Sequence, residues 1–465
     1  MFESTTGAHG ARCGRRFRLA LCLLCVMPSG LLAAQDGVEE AVALPVIATP
    51  PAIIARIEFT GNRVTQPRIM LQEMLVKEGD VADPALIERS RQAIMDLGLF
   101  KSVRVSLEPL DNGVLLRISV KEKYYILPTP KLNRDEENNF SLGAELTLDN
   151  LAGLNQRLRF RYEVDDANGQ SGGQIDTYSF SYNYPRVFGS PWSLSTEVNK
   201  VNSPAEVFNK PDFDPSKSLS DDSLYKLGAW TAAVQASRWL NPHGLSRGWQ
   251  AGGGLVWRRN VYDYLEGVLA PQFQDAQAVG VSLHVQYVDV HDFLFSRSGE
   301  EYGYNGEFGS RTLGSDTRYT RHDFFYRKFL LLDGRPHENI EIQARLGLSS
   351  GEIFAGSGAA YSLGGSKTLR GVDTGSYSGD SFVLLNVQYL RPFFGYYPLR
   401  GVVFLDVGNT YPSNTEINLS EIEWDVGIGL RFRLKSFVKI DLRIDAAYSF
   451  DTGDWNYKIG TKEIF

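Results

Sequence analysis

Residues 364–375 read GGSKTLRGVDTG, with Gly364 and Gly365 ahead of Lys367, Leu369, Arg370, Gly371 and Val372. Glycines let a backbone turn through positive φ, so the stretch reads as a tight loop. Leu and Arg have little use at a solvated tip. In a partly desolvated cavity the leucine packs and the arginine needs an anion. A guanidinium and a carboxylate joined by two parallel N–H···O bonds are geometrically specific. As hydrogen bonds between charged groups they contribute about 1.5–3 kcal/mol. This is binding chemistry rather than bond-making chemistry. Four of the six histidines, His284, His291, His322 and His337, show no metal-ligand spacing. No Gly-x-Ser-x-Gly elbow occurs. GGSKT lacks a lysine directly after the second glycine, and no strand–loop–helix unit surrounds it, so it is not a phosphate loop. The expectation is a protein that is not an enzyme, with no cofactor and no metal; a barrel-embedded lipase using a His and a Ser at the lumenal rim is the catalytic alternative.

The elements that would hold such a pair are strands. From Tyr124 onward helical spacing is absent and side chains alternate. In DVGIGLRFRL, Val426, Ile428, Leu430, Phe432 and Leu434 point one way and Asp425, Gly427, Gly429, Arg431 and Arg433 the other. Residues 338–350 and 437–449 repeat the pattern. A soluble sandwich alternates too, but three features favour a membrane barrel. The segments run to about ten residues or more, where soluble strands average about 5–6. The 22 Tyr, 26 Phe and 7 Trp can supply interfacial girdles. No run after the first 34 residues approaches the ~20 apolar residues of a spanning helix. Sixteen alternating segments lie between 124 and 464, an even number as in bacterial barrels. The expected fold is therefore mainly β: a 16-stranded antiparallel transmembrane β-barrel over residues 123–465. With both barrel ends on the inner side, the two longest gaps, 202–224 and 351–379, face outward. GGSKTLRGVDTG falls in the second of these and would fold back into the lumen. In GVVFLDVGNTYP, Val403, Leu405 and Val407 face lipid, which leaves Phe404, Asp406 and Gly408 inside with Asn409 following. Asp441 and Asp445 are further lumenal acids.

Residues 52–122 read as one small α+β unit, β-α-α-β-β. Ile53, Ala55, Ile57 and Phe59 form a half-buried strand. Thr65 caps a first helix whose buried face is Met70, Leu71, Met74 and Leu75. Asp83-Pro84 opens a second helix, with Ile87, Ser90, Ile94 and Leu97 on one side. Two strands follow around the Asp111-Asn112-Gly113 turn. Residues 1–34 read as a signal peptide, with Arg12, Arg15, Arg16 and Arg18 ahead of an apolar stretch, and 35–51 as a linker. Pro28 and Gly30 interrupt that stretch short of a helical anchor, and Leu21 and Leu24 before Cys22 and Cys25 disfavour lipidation. All three cysteines, Cys13, Cys22 and Cys25, lie within it, so the mature chain would carry none. The net charge of −7 and the lack of a basic run argue against nucleic acid.

The tetrad Leu369-Arg370-Gly371-Val372 resembles the Val-Arg-Gly-aromatic motif of the sixth extracellular loop in the BamA/TamA superfamily, the bacterial surface antigen family. Phe404-Leu-Asp406-Val-Gly408-Asn409 is similar to its F-x-D-x-G-N signature. The β-α-α-β-β unit, with Gly98-Leu-Phe100 before its second strand, resembles a POTRA domain. The resemblance covers about residues 52–465. It implies an Arg370–Asp406 pair and a barrel in the bacterial outer membrane with the POTRA domain in the periplasm. The implied function is insertion or export of client polypeptides. Implied partners are the lipid bilayer, unfolded or nascent clients pairing with POTRA strand edges, and periplasmic chaperones or accessory subunits. Leu369 replaces the usual valine, Val372 stands in the aromatic position, and there is one POTRA domain where the principal assembly factor has several. A two-partner-type secretion pore and a passive porin or structural barrel are the alternatives; a porin needs an open lumen and neither Arg370 nor Asp406.

Two further features concern the barrel's ends. Pro128 and Pro130 lie two apart on the first strand, so both missing N–H groups point to the same neighbour. If that is strand sixteen, the closing seam is weakened; if strand two, it is not. Phe465 ends the alternating stretch WNYKIGTKEIF and resembles the terminal aromatic by which barrel proteins are recognised, an interfacial anchor being the other reading.

Overall fold

The computed structural model describes residues 52–134, 140–166, 174–207, 223–241, 246–266, 274–354, 360–438 and 441–460. The expected signal peptide and linker, and Phe465, lie outside the described residues. The small unit comprises β1 (Ile54–Thr60), α1 (Pro67–Leu71), α2 (Pro84–Asp96), β2 (Phe100–Leu110) and β3 (Gly113–Glu122). Its sheet order is β1-β3-β2, with β1 and β3 parallel. Asp83 caps α2 by accepting the Ala85 N–H at 2.8 Å, and Ile87, Ser90 and Ile94 are buried beneath it. Two expectations fail here. A bulge between Ile54 and Arg56 shifts the parity of β1, so Ile54 is buried and Ile53 exposed. The first helix is only five residues long with Gln66 at its N-cap; Leu71 is exposed, and Met74 is buried from beyond the helix end. Thr65 has other work. Its hydroxyl donates to Glu122 at 2.6 Å, and Glu122 also accepts the Thr65 N–H at 2.7 Å.

The large sheet has sixteen strands: β4 (Ile126–Arg134), β5 (Phe140–Leu151), β6 (Gln156–Asp166), β7 (Gln174–Tyr184), β8 (Trp192–Val207), β9 (Ser223–Trp239), β10 (Gly248–Glu266), β11 (Ala276–Asp292), β12 (Arg297–Gly309), β13 (Tyr319–Leu331), β14 (Asn339–Ser350), then, past the short hairpin β15 (Tyr361–Leu363) and β16 (Tyr377–Gly379), β17 (Ser381–Phe393), β18 (Tyr396–Tyr411), β19 (Glu423–Arg433), β20 (Asp441–Ser449) and β21 (Trp455–Gly460). Each pairs antiparallel with its neighbours in the sheet. The inside–outside alternation is sharp: Ile428 is 60% exposed and Asp425, on the same strand, 1%. Strands β8 and β9 run past the alternating stretch, with Pro204 opposite Lys226, so the gap there narrows to 208–222.

The sheet curls until β21 runs beside β4, while among the described residues no ladder joins them. The small unit meets the barrel's near end at successive turns. Gln66 N–H donates to the Gly153 carbonyl at 3.0 Å and Asn150 donates to the Thr65 hydroxyl at 2.8 Å. Glu73, 3% exposed, accepts from Arg186 Nε at 2.7 Å and from the Ser246 N–H at 2.9 Å. Asp96 accepts from Arg247 and from the Asp292 N–H, the latter at 2.9 Å.

Candidate functional site

The loop between β14 and β17 enters the lumen. Its base is the β15–β16 hairpin, and the Gly365 N–H to Val372 carbonyl bond, 3.0 Å, closes its tip. Gly364 sits at φ +116°, a conformation closed to side chains. Thr368 Oγ1 accepts the Gly364 N–H and donates to the Gly364 carbonyl, both at 2.9 Å. Leu369 is wholly buried and packs with Tyr361, Leu363, Val372, Phe382 and Leu384. That apolar contact seats the loop against β17.

Beside it, Arg370 has no exposed surface and neither does Asp406 on β18. The guanidinium meets the carboxylate side-on: Nε donates to Oδ2 and Nη2 to Oδ1, each at 2.6 Å. The Arg370 backbone N–H adds a third bond to Oδ2 at 3.2 Å. The guanidinium carbon lies 3.4 Å from the centroid of the Phe404 ring. Strand alternation explains the sharing of roles, since Phe404 and Asp406 project to one side of β18. Gly408, on the same side, packs against β17, and Asn409 turns away to cap the next loop through the Glu421 carbonyl.

Three lumenal side chains complete the socket; the alternating pattern puts Asp425 on the polar face of its strand, while Asn386 and Gln388 had no expectation attached to them. Asn386 on β17 donates to Asp406 Oδ1 and to the Thr368 carbonyl, both at 2.7 Å. Gln388, two residues on, reaches Arg370 Nη1 at 3.5 Å. Asp425 on β19 accepts the Gly371 N–H at 2.7 Å. A Cβ at position 371 would lie 2.5 Å from Asp425 Oδ1, so this glycine is demanded by close approach. Their signal was two amides, Asn386 and Gln388, at inward positions of an otherwise apolar strand. Asp445 is occupied elsewhere, by Arg431 at 2.5 and 3.2 Å. The side chain of Asp441 lies outside those described.

At the seam, the register decides what the sequence left open. The Asp149 N–H donates to the Tyr125 carbonyl at 2.7 Å. Antiparallel pairs alternate between bonded and non-bonded, so Leu127 and Thr129 face β5 and Pro128 and Pro130 turn their backbones away from it, toward β21. Among the described residues no three His, Cys, Asp or Glu gather as a metal site, and no helix is long and apolar enough to cross a membrane.

A sixteen-stranded barrel with a small α+β unit at its near end and a loop pinned in its lumen defines an outer-membrane β-barrel with a periplasmic POTRA domain. Residues 150–459 match the Omp85 superfamily domain and residues 52–123 the surface antigen variable number repeat, POTRA. The chain belongs to the Omp85 superfamily. Among its relatives, the outer membrane protein assembly factor BamA of Neorickettsia risticii is 24% identical over 290 residues, 60% of this chain and 35% of that one. Outer envelope protein 80, chloroplastic, of Oryza sativa subsp. japonica is 24% identical over 379 residues, 76% of this chain and 52% of that one. The chain thus spans about half or less of the length of the curated relatives it matches. Among solved structures, CdiB from Escherichia coli superposes with a TM-score of 0.60 at 13% identity, covering 88% of this chain and 76% of that one, a likeness of fold.

Proposed function

We propose that this protein assembles client polypeptides into, or passes them across, the outer membrane, with residues 52–122 as the periplasmic receiving unit and 123–465 as the barrel. The observation that carries the reading is the contrast between a loop pinned inside the lumen and a wall whose terminal strands share no ladder among the described residues. A loop buried to zero exposure at Arg370 argues against a passive porin. An open strand edge is a template for backbone pairing, and Pro128 and Pro130 leave β4 short of two donors there. In the small unit, β2 is likewise an edge, with Leu107 and Leu110 exposed along it. Clients would pair at these edges, with accessory proteins delivering them. Strand exchange needs no bond-making group and no cofactor, so the protein is not an enzyme in this reading.

The test is a disulfide engineered between β4 and β21, in a chain with no cysteine after Cys25. Cells carrying the oxidised, locked seam should lose client assembly and regain it on reduction. Undiminished client assembly with the seam fully locked overturns the reading.

A further inference from the structure

Besides the loop socket, the lumen holds a second group of cations. Arg443 on β20 is 3% exposed; its Nη2 donates to the Ser366 carbonyl at the loop tip, and its Nη1 has no hydrogen-bond partner. Lys367, next in the loop, stands within electrostatic range of Arg443, of Arg159 and Arg161 on β6, and of Glu197. The Nε groups of both β6 arginines are buried without a hydrogen bond; among the described residues Arg159 Nε lies 3.6 Å from Glu145 and Arg161 Nη1 3.7 Å from Glu163. Asp445 is gripped by Arg431 and lies 3.7 Å from Arg443 Nε. Among the described residues Arg159 and Arg161 thus have one distant acid each, Lys367 has Glu197 within electrostatic range and Arg443 shares Asp445 with Arg431, which leaves positive charge to spare. That small excess suits one carboxylate better than a polyphosphate.

Position supplies the rest. β20 and β6 flank the seam on opposite sides, one strand from β21 and two from β4. A strand added antiparallel to β4, as every neighbour in the sheet is, runs toward the small unit and passes Leu127 and Thr129 at the start of β4. Across the ladder those residues align with Thr147 and Glu145, and these with Arg159 and Arg161. On the far side, Arg443 is two residues from the start of β20 at the same end. Resting on strand addition at the seam, we propose that Lys367, Arg443, Arg159 and Arg161 cradle the C-terminal carboxylate of a polypeptide strand that pairs with β4.

The experiment uses the full mature chain in detergent and the labelled peptide WNYKIGTKEIF, as free acid and as C-terminal amide, read by fluorescence anisotropy at low salt. The acid should bind about tenfold or more tighter, the factor contributed by one hydrogen bond between charged groups. Lys367→Gln and Arg443→Gln should each shrink that ratio while leaving amide binding unchanged. Arg443 is buried, so heat-modifiable gel migration checks folding, and Lys367→Gln at the loop tip carries the comparison if the Arg443 variant does not assemble. Equal binding of acid and amide, or a preference that survives Lys367→Gln, overturns the cradle and leaves seam pairing standing. Failure of both peptides to bind overturns seam pairing itself, and the cradle with it.

Discussion

Where β17, β18 and β19 face the lumen, a fully buried arginine is met by a carboxylate, one amide and an aromatic face, a second amide holds that carboxylate, and the neighbouring glycine is met by a second carboxylate. Where β4 meets β21, two prolines point toward the gap and no ladder crosses it among the described residues. The first region satisfies polar groups taken out of water, which is costly to undo. The second leaves backbone groups without a ladder partner among the described residues, where a partner strand could supply bonds. In the proposed function such a wall, held on one side and without a ladder on the other, places client pairing at the seam.

The comparison breaks most visibly at Arg370. Arg370→Ala or Asp406→Ala leaves an uncompensated buried charge, and each should destabilise the barrel by about 3–5 kcal/mol. Urea titration of heat-modifiable migration measures this, and the double variant should lose less than the sum. Strict additivity would mean the two side chains act separately.

Gly371→Ala tests the neighbouring clamp, because the new methyl displaces Asp425. A loss of about 1–3 kcal/mol is expected, with faster tryptic cleavage at Lys367 as the loop lifts. An unaltered cleavage rate would show that Asp425 gives way freely.

The opposite direction is available at the seam. Replacing Pro128 and Pro130 with threonine restores two donors, each adding about 0.5–1.5 kcal/mol if β21 accepts them. The barrel should then resist heat better and assemble clients more slowly. Unchanged heat resistance together with normal client assembly would remove the prolines from the account.

The smallest effect sets the scale. Arg91 and Glu88 pair at 2.7 Å on the surface of α2, three residues apart. Arg91→Ala should cost a few tenths of a kcal/mol. A loss as large as that of Gly371→Ala would undo the ranking by burial.

Much of the architecture was legible from Tyr124 onward because the alternating pattern records which face of each strand meets lipid. Phe404 and Asp406 could be placed on one face of one strand in this way. Short-range detail in the small unit was less legible: Thr65 looks like a cap, yet Glu122, 57 residues away, takes its hydroxyl. The bulge after Ile54 reverses a parity that the apolar pattern shows only approximately.

The sequence by itself determined the strands, their inward and outward faces, and the residue types available for an ion pair, because each is written in neighbours one or two positions apart. Tertiary structure alone decided which partners meet. Glu73 joins Arg186 across 113 residues and Asp96 joins Arg247 across 151. Asn386 reaches Asp406 only because β17 and β18 align in register. The side on which Pro128 and Pro130 open is fixed by one backbone bond between Tyr125 and Asp149. Such choices depend on register, and register is set by the closing of the whole sheet, which no local stretch of sequence contains.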